Sequence, residues 1–277
     1  MAASNLSEYL KSLASGDNFL AQARILNLPD GETVVVAQRG TLTWDRRDNP
    51  LDATKGTLLT SSLEHVDAFP LGAKVGPDEQ AEGHFLKFFN RFNFYAKLPF
   101  RMRFASSSNV GIISQIAADS STYPDRLFFL GGQDMRGWYT QSFIPQDDLD
   151  RLDEASGPDC PAGGAPQDPN IPSPAKCLFT IKTLPVRGGN LSIVQRFEVR
   201  IPIAGPVETV LFTDFGNLWR QLRYPFDKGE FPIRADVGSG LRIQTPIAPI
   251  AVDFGYNVTR RKLYEDAFAF SFSLGLF

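Results

Sequence analysis

The feature that most constrains this chain is an alternation of apolar and polar residues with a period of two, repeated along most of its 277 residues. Between Phe85 and Leu98 one set reads Leu86, Phe88, Asn90, Phe92, Phe94, Ala96 and Leu98, and the other reads Lys87, Phe89, Arg91, Asn93, Tyr95 and Lys97. Near Leu191 to Ile203, Ile193, Phe197, Val199 and Ile201 oppose Arg196, Glu198 and Arg200. Ala235, Val237, Leu241 and Ile243 oppose Arg234, Asp236, Arg242 and Gln244, and Val252, Phe254 and Tyr256 oppose Ala251, Asp253, Gly255 and Asn257. Last, Phe268, Phe270, Phe272, Leu274 and Leu276 alternate with Ala269, Ser271, Ser273 and Gly275. Successive side chains of a strand point to opposite faces, so such a chain builds sheets with two unlike faces. In a soluble sandwich the apolar face is the core. In a membrane barrel the apolar face meets lipid and the charged face lines the lumen. The alternation by itself fits both.

Connection lengths discriminate. The pattern gives ten strands, at 19–28, 33–44, 56–67, 84–98, 100–114, 189–203, 206–215, 234–244, 249–257 and 268–277. The even-numbered connections are mostly short, at 45–55, Pro99, Gly205–Pro206 and 245–248, whereas 68–83, 115–188, 216–233 and 258–267 are long and polar. Short turns at one end and long loops at the other are the habit of antiparallel transmembrane barrels. Composition agrees, with 23 Phe against 3 Met and 3 Trp, and aromatic residues favour strands. No apolar run approaches the roughly 18 residues of a membrane-crossing helix, but a barrel strand needs only about 9–11 with one apolar face. A net charge of -3 gives no sign of nucleic-acid binding. The expected fold class is therefore all-β, an antiparallel transmembrane barrel with a long inserted loop over 115–188.

Patterns that would signal catalysis do not hold together. Asp-Phe-Gly occurs at 214–216 and 253–255, but without a Gly-rich nucleotide loop or a catalytic loop, and both copies lie in strand patterns. His65 and His84 lack metal-ligand spacing, and Ser239 between two glycines does not form a nucleophile elbow. The expectation is no enzyme, no catalytic residues, no metal and no cofactor. Cys160 and Cys177 flank a loop rich in Pro, Gly, Asp and Ala with no histidine nearby. A disulfide in an oxidising compartment is the expectation, closing a loop worth about 3 kcal/mol; the alternative is two free surface thiols. Residues 1–18 place Leu6, Tyr9, Leu10 and Leu13 at helical spacing before Gly16, giving either a short amphipathic helix or a frayed terminus. The polar stretch after Met1 has no hydrophobic core, so the leader and upstream region of an exported protein are expected to lie outside this chain.

One segment carries more specific information. Asp125-Arg126-Leu127-Phe128-Phe129-Leu130-Gly131-Gly132, followed by Met135-Arg136-Gly137-Trp138, resembles the signature loop of the BamA/TamA family of bacterial outer-membrane assembly factors, within the bacterial surface antigen superfamily. Four further matches follow in that family's order. They are Trp44 to Pro50 with Thr54-Lys55-Gly56, Gly188-Gly189-Asn190 through Arg200, Phe212 to Trp219, and Ile233 to Tyr256 with Gly238, Gly240, Pro246 and Pro249. Alternating aromatics ending in Phe268, Phe270, Phe272, Gly275 and Phe277 resemble its C-terminal recognition signal. Five ordered matches span about residues 40–277. The family barrel has sixteen strands and follows soluble periplasmic repeats; neither those repeats nor the leading strands are in this sequence.

The resemblance implies a barrel domain at 19–277 in the Gram-negative outer membrane, its loop 115–188 folded into the lumen. It implies folding and insertion of other outer-membrane proteins, or export, through the barrel and a seam at the strand 268–277. Its partners would be membrane lipid, unfolded client barrels and further subunits of an assembly machine, with no nucleic acid. Alternatives of the same fold are a two-partner-type secretion transporter, a passive pore, or a structural or adhesive surface barrel. By the same resemblance Gly131, Gly132, Met135 and Trp138 form the signature loop, and Arg136 and Gly137 lock it in the lumen against Glu198 and Asp214.

Overall fold

The computed structural model describes residues 32–50, 52–71, 83–116, 122, 126–155, 187–245, 250–261 and 264–274. The expected helix at 1–18, the strand at 19–28, Cys160, Cys177, Gly275 and Phe277 lie outside the described residues.

Nine strands form a single sheet in sequence order. They are β1 (Glu32–Asp45), β2 (Gly56–Leu71), β3 (Gly83–Lys97), β4 (Arg103–Gln115), β5 (Leu191–Ala204), β6 (Val207–Trp219), β7 (Arg234–Ile243), β8 (Ile250–Asn257) and β9 (Phe268–Leu274). Every neighbouring pair is antiparallel, so the connections alternate between two ends, one of turns and one of longer loops. Among the described residues no pairing joins β9 back to β1, and the wall is open there. Two helices complete the described elements, α1 (Gln146–Ala155) and the short α2 (Tyr224–Lys228).

Strand bounds depart from expectation in two informative places. The fourth strand starts at Arg103 rather than residue 100, because Pro99–Arg101 form the hairpin turn, with Phe100 and Arg101 both at positive φ. The following hairpin's second strand, β6, extends to Trp219 rather than 215. Its last residues, Gly216, Asn217, Leu218 and Trp219, are all buried, since the inserted loop packs over them. Alternation therefore stops before the strand does.

The two faces of the wall settle the choice between sandwich and barrel. Phe88, Phe92 and Phe94 of β3, Leu211 and Phe215 of β6, Phe254 of β8 and Phe270 of β9 are exposed on the outer face. Phe197 is half-buried there, its ring against Phe104 and Phe215. Glu64, Arg196, Glu198, Asp214, Asp236, Arg242 and Asp253 are buried on the inner face, where Arg91 also points, donating to Asn109 over 3.1 Å. Exposure is 57% at Phe270 and 52% at Phe254 but 1% at Glu198 and 0% at Asp214. A soluble protein rarely exposes so broad an apolar face, whereas lipid requires it and also requires neighbouring strands to satisfy the backbone. This is the wall of a transmembrane β-barrel.

Part of the β4–β5 connection enters that wall. Phe128 and Gly189 exchange both backbone hydrogen bonds at 2.9 Å, pinning the root of the loop. Leu130, Met135, Trp138 and Phe143 then pack with Val194 and Leu218 on the inner face. The loop continues into α1, a helix not foreseen in an all-β reading. Asp147 accepts from the backbone N–H groups of Arg220 and Gln221 at 2.9 Å each, fastening α1 to the β6–β7 loop. Burial, reinforced by Asp148, raises the Asp147 carboxyl above its ordinary range despite those two hydrogen bonds.

Candidate functional site: a buried ion-pair lock under the loop tip

The sharp turn at Gly131 and Gly132, both at positive φ, sends the chain back on itself, and the Gly132 N–H donates to the Trp138 carbonyl at 2.8 Å. The turn presents Met135 to Trp138 to the inner face of β5–β8. Arg136 is 2% exposed. Its Nε and Nη2 donate to the two Asp214 oxygens at 2.8 and 2.7 Å, its Nη1 donates to Glu198 at 2.6 Å, and its guanidinium lies 3.6 Å from the centroid of the Phe212 ring. A planar guanidinium matches a carboxylate in a paired fork, which gives charge-assisted bonds strengthened by exclusion of water.

Gly137 supplies a second contact, its N–H donating to Asp236 at 2.9 Å. Asp214 and Asp236 stand directly opposite in the β6–β7 register, an arrangement that is unfavourable for like charges. Arg136 and the Gly137 N–H cover that pair together. A Cβ on residue 137 would sit 2.5 Å from the Asp236 Cβ, so the arginine must be followed by glycine for the tip to reach the wall. Across the lumen side, a Cβ on Gly255 would lie 2.3 Å from the Arg136 carbonyl oxygen.

The carboxylates are shared further. Glu198 also receives Arg200 at 2.7 Å and Arg242 at 3.1 Å, and Arg242 forks onto Asp253 at 2.6 and 3.0 Å. Arg196 donates to the Gln133 carbonyl. The result is one continuous network, Asp214–Arg136–Glu198–Arg242–Asp253, with Arg200 at its side. Removing one member of such a buried set leaves an uncompensated charge at a cost of about 3–5 kcal/mol. Trp138 extends the tip's hold: its Nε1 donates to Glu265 at 2.8 Å, and Glu265 also pairs with Arg234, whose guanidinium lies 3.6 Å from the Phe143 ring centroid.

The structure thus brings Arg136 and Gly137 together with Glu198 and Asp214, and places Gly131, Gly132, Met135 and Trp138 in the turn that delivers them. Phe268, Phe270 and Phe272 lie apart from this site, on the outer face of β9. Sequence reading did not single out Asp236, Asp253, Arg200, Arg242, Gly255 or Glu265 as part of the lock. A signal was present in the repeated Asp-Phe-Gly: in both copies Asp enters the network, Phe faces outward and Gly makes room for a neighbouring backbone.

The Omp85 superfamily domain matches residues 17–277. The chain belongs to the Omp85 superfamily. Among solved structures, BamA from Haemophilus ducreyi lacking POTRA domains 1–3 is similar at 16% identity with a TM-score of 0.58, covering 87% of this chain and 42% of that one. CdiB from Acinetobacter baumannii is 10% identical with a TM-score of 0.39, at the same coverage. No curated protein sequence matches. The BamA likeness concerns the fold, and this Omp85 chain spans 42% of the length of that relative. Within this Omp85 barrel wall, Arg136, Glu198 and Asp214 of the ion-pair lock are each at most 2% exposed.

Proposed function

We propose that this chain is part of a barrel in the bacterial outer membrane that assembles and inserts other outer-membrane proteins, with unfolded clients engaging the edge of β9. The observation that carries this reading is the state of that edge. β9 is seven residues long, pairs only with β8 among the described residues, and offers Ala269, Ser271 and Ser273 inward with no ion pair to bind it. An edge strand is a template onto which another strand can add by main-chain hydrogen bonds. In lipid each unpaired backbone group costs several kcal/mol, so an edge of this kind is driven to find a partner. The lock holds the loop inside the lumen, which argues against a passive open pore.

The test is a tether. In the full-length protein, an engineered disulfide joins β9 at Ser273 to the strand that faces it across the seam, and assembly of an unfolded client barrel is followed in liposomes. Assembly should stop under oxidation and return on reduction. Unimpaired assembly with the seam locked would show β9 to be a passive closing strand.

A further inference from the structure

The tip of the loop is held by β5–β8, but its root is fastened to the opposite part of the wall, through a residue outside the lock. Glu64 of β2 is 3% exposed on the inner face. Its Oε1 accepts from Nη1 of Arg126, at the root of the loop, over 2.8 Å. Its Oε2 accepts from Nε and Nη2 of Arg39 in β1, over 3.2 and 2.7 Å. One carboxylate thus joins β1, β2 and the loop. Around it, Lys87 of β3 donates to the Arg126 carbonyl at 2.5 Å, and Phe128 packs on the Val66, Ala68, Phe85 and Ile113 cluster.

We propose that Glu64 is a positioning residue that couples the root of the lumen loop to the β1–β2 hairpin. Arg39 and Arg126 share one buried carboxylate, and removing its charge weakens the bonds that both guanidiniums make to it. The link from the root to β1 and β2 would then loosen while Arg136 still held the tip. The loop is consequently a brace between the front strands and β5–β8, and a displacement of β1 is transmitted to it through Glu64. The coupling stands on this geometry alone; its consequence for client assembly rests on the function proposed above.

The experiment is amide hydrogen exchange on the full-length protein in lipid nanodiscs without client, comparing residues 127–130 with 135–138. Glu64→Gln keeps the shape and removes the charge. It should speed exchange at 127–130 by about tenfold or more, as loss of a charge-assisted bond allows, and leave 135–138 unchanged. Arg39→Ala, made on a side chain that is 57% exposed and bonded to Glu64, should speed the same segment by a smaller factor. That effect should vanish in the Glu64→Gln background. If Glu64→Gln fails to fold, Arg39→Ala decides. Unchanged exchange at 127–130 in both variants, or equal acceleration at root and tip, overturns the proposal. Faster root exchange with undiminished client assembly in liposomes upholds the coupling and counts against the assembly reading instead.

Discussion

The inner faces of two adjoining parts of the wall differ as much as any two regions of this molecule. Over β5–β8 the lumen side carries Glu198, Arg200, Asp214, Asp236, Arg242 and Asp253, buried and bound to the loop tip and to one another. One strand further, β9 presents Ala269, Ser271 and Ser273. The outer faces are alike, with Phe254 stacked on Phe268 at 5.3 Å. The lipid side therefore demands the same of both regions, and only the lumen side distinguishes a wall of interlocked charges from a strand with small side chains. Buried ion pairs are poor sources of net stability but sensitive to the loss of one partner. That makes them suited to fixing one loop position against others, whereas small inward side chains leave β9 bound chiefly through its backbone.

The strongest way to break this contrast is Arg136→Ala. It takes the guanidinium from Asp214, while Glu198 keeps Arg200 and Arg242, and should cost about 3–5 kcal/mol of loop docking, seen as protease cleavage within 126–155 of the full-length protein and lost activity. Intact protease resistance would mean that the apolar cluster around Met135 and Trp138, not the ion pairs, holds the loop. Next in size is Gly255→Ala, whose methyl would meet the Arg136 carbonyl oxygen at 2.3 Å. Overpacking of this kind costs about 1–3 kcal/mol, and it should loosen the tip without removing any charge. The matched control on the neighbouring strand, Ser271→Ala, should shift thermal unfolding by no more than about 0.5 kcal/mol. Equal effects at positions 255 and 271 would erase the distinction.

A further small effect is expected outside the wall, where Asp150 of α1 accepts from Tyr224 at 2.8 Å, Lys228 at 3.0 Å and Gln146 at 2.8 Å. Burial alone would raise this carboxyl, but the hydrogen bonds from Tyr224, Lys228 and Gln146 outweigh it and hold it below its ordinary value. With the folded value depressed, the contribution is present above the unfolded carboxylate pKa of about 3.9 and is lost as pH falls through the folded value. Acidification through that window should free α1 from α2 by less than about 1 kcal/mol. Hydrogen exchange in 146–155 should show it, and Asp150→Asn should remove the contribution of this group.

Much of the wall could be read from the chain because the information is local. A period of two is written residue by residue, and it places Phe88, Phe254 and Phe270 on one face and Glu198 and Arg242 on the other whatever their partners, while the connection lengths point to the face that meets lipid. Where packing breaks the period, reading fails: β6 runs past Phe215 because the loop covers both Asn217 and Leu218, and α1 was missed because its pattern is short and acidic. Pro145, Asp147 and Asp148 with Leu149 and Leu152 were nevertheless its helix-start signal. Arg136, Glu198 and Asp214 were paired only by family resemblance, since nothing in their spacing requires it.

The sequence by itself determined a sheet of alternating strands with two unlike faces, and which end bears the long loops. Only the tertiary structure decided which carboxylates meet the loop. Arg136 lies 62 residues from Glu198 and 78 from Asp214, and Gly137 lies 99 from Asp236. Contacts at such separations depend on the strand register and on how deeply the tip descends, which Gly137 and Gly255 permit by lacking a Cβ. A periodic pattern assigns a side chain to a face; it takes the folded wall, with its buried charges needing partners, to assign that side chain a neighbour.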